Sequence, residues 1–410
     1  MRKAGLSEVS RALTKPLTIQ GGTGANPATE AATIQPSFAD PGALKWVQQG
    51  PVGAPQVQGV DRALGNHLLK VLGSWTLAKA AANPQHQAKM DLSAELIGHL
   101  ERLPGRLASV ATFKTGGAFK LYEYCFPNPD EREPIADIKA RLKDFNTGTR
   151  DDGNGFHAIA IADHDRNVIG YTQGSTVPTD KGLFYYWQYG CVADRDFMKA
   201  NYGKDVNPRE QGVLNTIHGA NAATLLAAAE RLGREPLGIV WESEPRGLGD
   251  DAASIKFTDA RLKIHNRAGG RVMMGVTAEG DLVNLHLQPR LTADSAPIAL
   301  HMMYRPLRYQ EGDEKKAGEL KKQDAASMMQ AWINNFAVEG FPQKDVDEAA
   351  AEIQRRLDRS VKIVLLPAEQ VPDAITLAKT DPILEAQLLD MYGVKDLAAA
   401  RAFYDRAMAS

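Results

Sequence analysis

Cysteine is nearly absent. The chain has two in 410 residues, too few for a disulfide framework or a cysteine-type zinc centre. Cys125 and Cys191 each stand alone in an apolar, strand-like stretch, as buried thiols of a reducing compartment do. An excess of one charge is missing too. With 48 Lys and Arg against 50 Asp and Glu, the formal charge is −2 and the pI near 6.5, which argues against a nucleic-acid partner or an anionic membrane surface. No run approaches the roughly 20 apolar residues of a membrane helix, and residues 1–8 lack the apolar core of a secretory signal, so a cytoplasmic location is expected. There is no Gly-x-Ser-x-Gly elbow, no His-Glu-x-x-His pair and no Gly-x-x-x-x-Gly-Lys-Ser/Thr loop, which leaves serine-hydrolase, zinc-protease and P-loop chemistries without local support. The nine histidines make no cluster, and no metal site is expected.

Four regions follow from the patterning. Residues 1–58 mix Gly, Pro, Ala, Thr and Gln without periodicity and have too little apolar surface to offset the ordering cost of roughly 1–2 kcal/mol per residue, so a flexible leader is expected there. Residues 59–106 repeat apolar groups at helical intervals (Val60, Leu64, Leu68, Leu72, then Leu92, Leu96, Leu100) and predict a helical N-terminal extension. Residues 107–309 look like the catalytic domain. The polar run at 310–316 marks a boundary, and 310–410 predict a mostly helical C-terminal region with one short buried strand at 361–367, the Met328, Met329, Trp332, Ile333 and Phe336 stripe being core.

Within the presumed domain, residues 118–126 alternate like a strand, and Pro134 leads a helix through Ile135, Ile138, Leu142 and Phe145. Residues 156–162 pair with 167–174 as a hairpin. The centre of the chain is a strand at 183–192, a polar loop at 193–207, a helix starting near Gly212, and a strand at 237–245. This is a βαβ unit whose helix N-terminus presents the amides of Gly212, Val213, Leu214 and Asn215 toward an anion, a phosphate being the natural guest.

At these residues the chain resembles the GNAT-fold N-acetyltransferases, whose pyrophosphate loop reads Arg/Gln-x-x-Gly-x-Gly/Ala. Here it stands as Arg209-Glu-Gln211-Gly212-Val213-Leu214, with leucine in place of the last small residue. Residues 259–269 resemble the family's later helix, and 285–291 and 297–305 its two closing strands. The resemblance covers about 120–305 and implies an α/β (α+β) fold: a GNAT-like, mixed, mostly antiparallel central sheet with flanking helices, to which helical additions are joined at both ends. It also implies acetyl-CoA as co-substrate, acetyl transfer to an amine of a small molecule or protein, and a coenzyme site formed by Tyr189, Gly190, Cys191, Val192, Arg209, Gln211, Gly212, Val213, Leu214 and Asn215.

Amine acetylation needs a base and an acid. Glu242 and Glu244, two apart on a strand, share one face. Either they act as base, their pKa raised by burial, or they sit solvated at the strand end and pair with Arg246. Glu123 is a weaker candidate. Counting back four from Gly269 lands on His265 where the family often carries its tyrosine acid. These departures leave a second reading open: a catalytically inactive GNAT-like scaffold that binds a protein partner or forms an oligomer through its terminal extensions.

Overall fold

The computed structural model describes residues 117–127, 132–145, 149–162, 167–211, 213–290, 295–306 and 318–409. The leader expected over 1–58, the helices expected over 59–106, the boundary at 310–316 and Gly212 lie outside them. The described chain forms two compact units, 117–239 and 240–409, and passes from one to the other inside a strand. Each is mixed α/β with antiparallel strand pairing and flanking helices, the fold class implied by the sequence.

The first unit runs α1 (Gly117–Cys125), α2 (Ile135–Asp144), β1 (Gly155–Ala162), β2 (Val168–Pro178), β3 (Leu183–Val192), α3 (Arg195–Tyr202), a 3-10 turn at Pro208–Gln211, α4 (Val213–Leu232) and the start of β4 (Pro236–Ser243). Strands β1, β2 and β3 form an antiparallel meander, with Ile159 opposite Thr172 and Thr172 opposite Gly190. Strand β2 is buried from Val168 to Val177, so both its faces are covered. Neighbouring strand residues point to opposite faces. Tyr171 meets the Tyr122 ring of α1 at 5.5 Å, while Thr172 donates to Asn221 of α4 at 3.0 Å, which puts α1 and α4 on opposite sides of the meander.

Two local expectations are corrected here. Residues 118–126, read as a strand, are helix α1: Ala118, Phe119, Leu121 and Tyr122 are the buried residues, a spacing of i, i+1, i+3, i+4 that one helix face satisfies and a strand does not. The loop expected at 193–207 contains α3, capped by Asp194, which accepts from Phe197 N at 2.9 Å, and closed by Gly203 at φ +68°. Its only buried side chains, Phe197 and Met198, are adjacent and show no period.

The second unit holds the rest of β4, then α5 (Ala252–Arg267), β5 (Arg271–Val276), β6 (Leu282–Asn284), β7 (His301–Pro306), β8 (Gly318–Leu320), α6 (Lys322–Val338), α7 (Gln343–Arg359), β9 (Lys362–Leu366), a 3-10 turn at Ala368–Gln370, α8 (Ala374–Ala378), α9 (Pro382–Tyr392) and α10 (Leu397–Ala409). The strand order is β4-β7-β5-β9-β8. Strands β7 and β6 both pair with β5, β7 at Arg271 and Val272 and β6 from Met274 to Val276. The closing strands differ from expectation. Strand β7 lies in the second predicted stretch, but 285–290 is irregular apart from the bridge Gln288–Ile298, and the missing partner is β5, which after Arg271 is an apolar run with no alternation to read. The stripe of Met328, Met329, Trp332, Ile333 and Phe336 is buried, and β9 pairs with β5 through Met274–Val364.

Candidate functional site

Strand β3 carries a bulge. The register passes from Gln173 opposite Tyr189 to Gly174 opposite Trp187, so Gln188 is an extra residue that bends the strand and re-aims its side chains. The bulge is locked by the Trp187 indole N–H, which donates to Tyr189 O at 2.7 Å. Gly190 is required by that arrangement: a Cβ there would lie 2.2 Å from Cζ2 of the Trp187 ring. Beyond the bulge Tyr189 packs edge-on against Tyr122 at 5.2 Å and Phe126 at 5.1 Å.

A polar chain leads to the bulge from the segment before α2. Arg141 Nε donates to Glu133 at 2.8 Å, and Gln173 Nε2 donates to the same carboxylate at 2.7 Å and to Gln188 Oε1 at 3.3 Å. Gln173 Oε1 in turn accepts from the Tyr171 hydroxyl at 2.6 Å.

Arg209 sits where β3 ends. Its Nε donates to Val192 O at 3.1 Å, and its Nη2 lies 3.2 Å from Asp194. Burial pushes the Asp194 carboxyl up, but the Phe197 N–H, the Tyr124 hydroxyl and Arg209 together hold it below the usual carboxylate range. Val213, the first residue of α4, is buried with a γ-methyl 2.9 Å from where a Gly170 Cβ would stand, so the first turn of α4 is seated directly on β2. Leu214 is half-buried. Gly212 and the side chains of Gln211 and Asn215 lie outside the description.

In the second unit Glu242 and Glu244 have separate partners. Glu242 Oε1 is 2.7 Å from Nε2 of His286, a residue with no role in the sequence reading. His286 is fully buried, its ring edge-on to Trp332 with centroids 3.9 Å apart. Burial lowers its pKa while the Glu242 hydrogen bond pulls the other way. Its Nδ1 is buried without a hydrogen-bond partner among the described residues, so the neutral ring keeps its hydrogen on Nε2 and donates it to the carboxylate. Arg356 clamps this segment, donating to the backbone oxygens of Asn284 at 2.9 Å and His286 at 3.2 Å while pairing with Asp381 at 2.9 Å.

Glu244 pairs with Arg261, whose guanidinium lies over the Phe257 ring at 5.1 Å. Arg246 pairs with Asp259 at 3.0 Å. Glu123, on α1, is exposed and 3.5 Å from Arg132. His265 packs on the Trp241 ring at 5.4 Å, and burial, aided by Arg261, pushes its pKa down to about 3. Trp241 and Glu242 are neighbours on β4 and point to opposite faces, so His265 and Glu242 do not converge. Among the described residues no group of three or more His, Cys, Asp or Glu could hold a metal ion, and no helix is long and apolar enough to cross a membrane.

The hydrogen bond from His286 joins residues 44 apart. The one local hint is its place between Leu285 and Leu287, a titratable ring inside an apolar run. No protein-family model matches the chain, and no curated protein does. Among solved structures, a protein assigned to the GNAT family of acetyltransferases from Bacteroides thetaiotaomicron is similar at 19% identity, over 51% of this chain and 89% of that one, with a TM-score of 0.29.

Proposed function

We propose that the chain transfers an acyl group, acetyl in the simplest case, from a coenzyme A thioester to an amine of a small molecule or protein. The observation that carries this reading is the hydrogen bond from Arg209 Nε to Val192 O at 3.1 Å. It ties the run leading into α4 to the end of the bulged strand, joining the two stretches from which a coenzyme site is expected. Arg209 and the first-turn amides of the 20-residue helix α4 would take the coenzyme's diphosphate, since a guanidinium and an N-terminal dipole both favour a polyanion. Bound coenzyme supplies an activated carbonyl. The 189–192 segment of β3 would line it, with the bulge setting the direction of its backbone.

Calorimetric titration of the full chain with acetyl-CoA tests the reading. Saturable heat is expected, with affinity reduced at least tenfold in R209A. No heat and no thermal shift at millimolar ligand would remove it. A second reading, a scaffold without catalysis, draws support from the pairing of Arg209 with Asp194 and from the packing of His265 against Trp241; it expects no ligand response from either protein.

A further inference from the structure

Among the described residues at 117–239, Tyr124 is the one aromatic side chain left exposed, with 41% of its surface open to solvent. The buried residues of α1 are Ala118, Phe119, Leu121 and Tyr122, so the packing of that helix does not require a ring at 124. The ring is nevertheless held at both ends. Its hydroxyl donates to the Asp194 carboxylate, shared between Oδ1 at 2.9 Å and Oδ2 at 3.0 Å, and its body rests on the Phe197 ring of α3 with centroids 5.1 Å apart. Arg209 Nη2 lies 3.2 Å from the same Oδ2, and the Arg209 side chain is 53% exposed. One carboxylate oxygen thus sets a fixed aromatic ring beside a guanidinium, both of them open to a ligand. We propose that Tyr124 is the stacking platform for the adenine base of the coenzyme, with Arg209 on the diphosphate of the same nucleotide. This rests on the acyltransferase reading and adds to it the recognition of the nucleotide end.

A nucleotide joins its base to its phosphates through one ribose, so a site for both needs an aromatic face and a cation as near neighbours. Here they meet at a single atom. A base stacks on any exposed aromatic face, and a ring already held in one orientation gives up little freedom when the base settles on it. The guanidinium supplies a planar fork for phosphate oxygens. Asp194 opposes a phosphate by its charge, but that charge is shared among the Phe197 N–H, the Tyr124 hydroxyl and Arg209. Stacking needs the ring of Tyr124. The bond to Asp194 needs only the hydroxyl, and this difference lets the two roles be separated.

Calorimetry and saturation-transfer NMR on the full chain with acetyl-CoA make the test. In the wild type, transfer to the two adenine ring protons should exceed transfer to the methyl groups of the pantetheine arm. Y124A should bind acetyl-CoA roughly fivefold or more weakly and lose the adenine signals, as removal of the aromatic partner of a stacked base does. Y124F keeps the ring and gives up only the bond to Asp194, so its affinity should stay within about twofold of the wild type. A loss in Y124F equal to that in Y124A would show that Tyr124 acts only through Asp194 and Arg209, and would overturn the proposal. Y124A binding as tightly as the wild type would do the same, while leaving the acyltransferase reading in place. A wild-type chain that binds no acetyl-CoA would remove both. Should either variant fold poorly, the wild-type spectrum decides: adenine protons that receive no more transfer than the pantetheine methyls would sink the stack.

Discussion

At the scale of single residues, the contact between Glu242 and His286 has the clearest energetic consequence. The Glu242 side chain is only 14% exposed and the His286 side chain not at all, so removing the imidazole deprives a largely buried carboxylate of the His286 N–H and opens space beside Trp332. Each effect is destabilising by itself, and together they predict a loss of about 2–4 kcal/mol for H286A. H286Q can still offer an N–H and should recover roughly half of that. Urea unfolding measures both; an H286A midpoint within error of the wild type would show that the pair bears no weight. Glu242 stood out as a carboxylate on an apolar strand, but Glu244, read as sharing its face, lies past the end of β4 and pairs with Arg261 instead. His286 was not legible in the sequence, because its role is set by a contact 44 residues away and by Arg356 holding the irregular segment in which it sits. His265 shows the converse: counting residues found it, while the face of β4 it packs on comes from Trp241, which counting does not reach.

Among the elements, β3 was the most legible, since Leu183, Phe184, Tyr185, Tyr186 and Trp187 are all buried and turn residues bound the run. Its bulge was not, because the extra residue is defined by the partner strand's register. The bulge can be tested through Gly190. An alanine there places its Cβ 2.2 Å from the Trp187 ring, which is anchored by its hydrogen bond to Tyr189 O and cannot swing away without breaking it. Such overpacking is expected to cost about 1–3 kcal/mol. G190A should therefore melt lower than wild type and bind acetyl-CoA more weakly, whereas a change confined to stability would separate the bulge from the proposed site. The cap of α3 makes a second test. D194A removes the acceptor for Phe197 N, for the Tyr124 hydroxyl and for Arg209 at once, with an expected loss of about 1–2 kcal/mol in denaturant unfolding; a loss below about 0.5 would mean that water replaces all three. The sequence hid α3 and α1 for related reasons. Helices this short bury two and four side chains respectively, too few for a period of 3.6 to stand out against alternation.

For the whole molecule, the near-neutral charge conceals a strong dependence on acid. His157 in the first unit and His301 in the second are buried, His265 is half-buried, and loss of solvation pushes each pKa down to about 3. His286 moves in the same direction. In the unfolded chain these rings titrate near 6.5, so between pH 6.5 and about 3 the unfolded state binds protons that the folded state refuses, and stability is present above 6.5 and lost as pH falls. Each such ring contributes a slope of about 1.4 kcal/mol per pH unit, and the three together about 4. Carboxylates that fold below their ordinary range, Asp194, Glu352 and Asp373 among them, add to the loss only at lower pH, as the unfolded carboxylates begin to protonate. Composition counts the histidines but does not say which are shielded from water, and for His286 and His301 that is set by packing and strand pairing that only the fold shows. Because His157 alone of these rings lies at 117–239 while His265, His286 and His301 lie at 240–409, acidification should weaken the second unit more steeply than the first. Hydrogen exchange at pH 7, 6 and 5, corrected for intrinsic rates, reads this directly: peptides from 240–409 should lose protection faster per pH unit than those from 117–239. Equal protection in both units across that range would mean that the buried rings take up protons without unfolding, through water entering the core beside them.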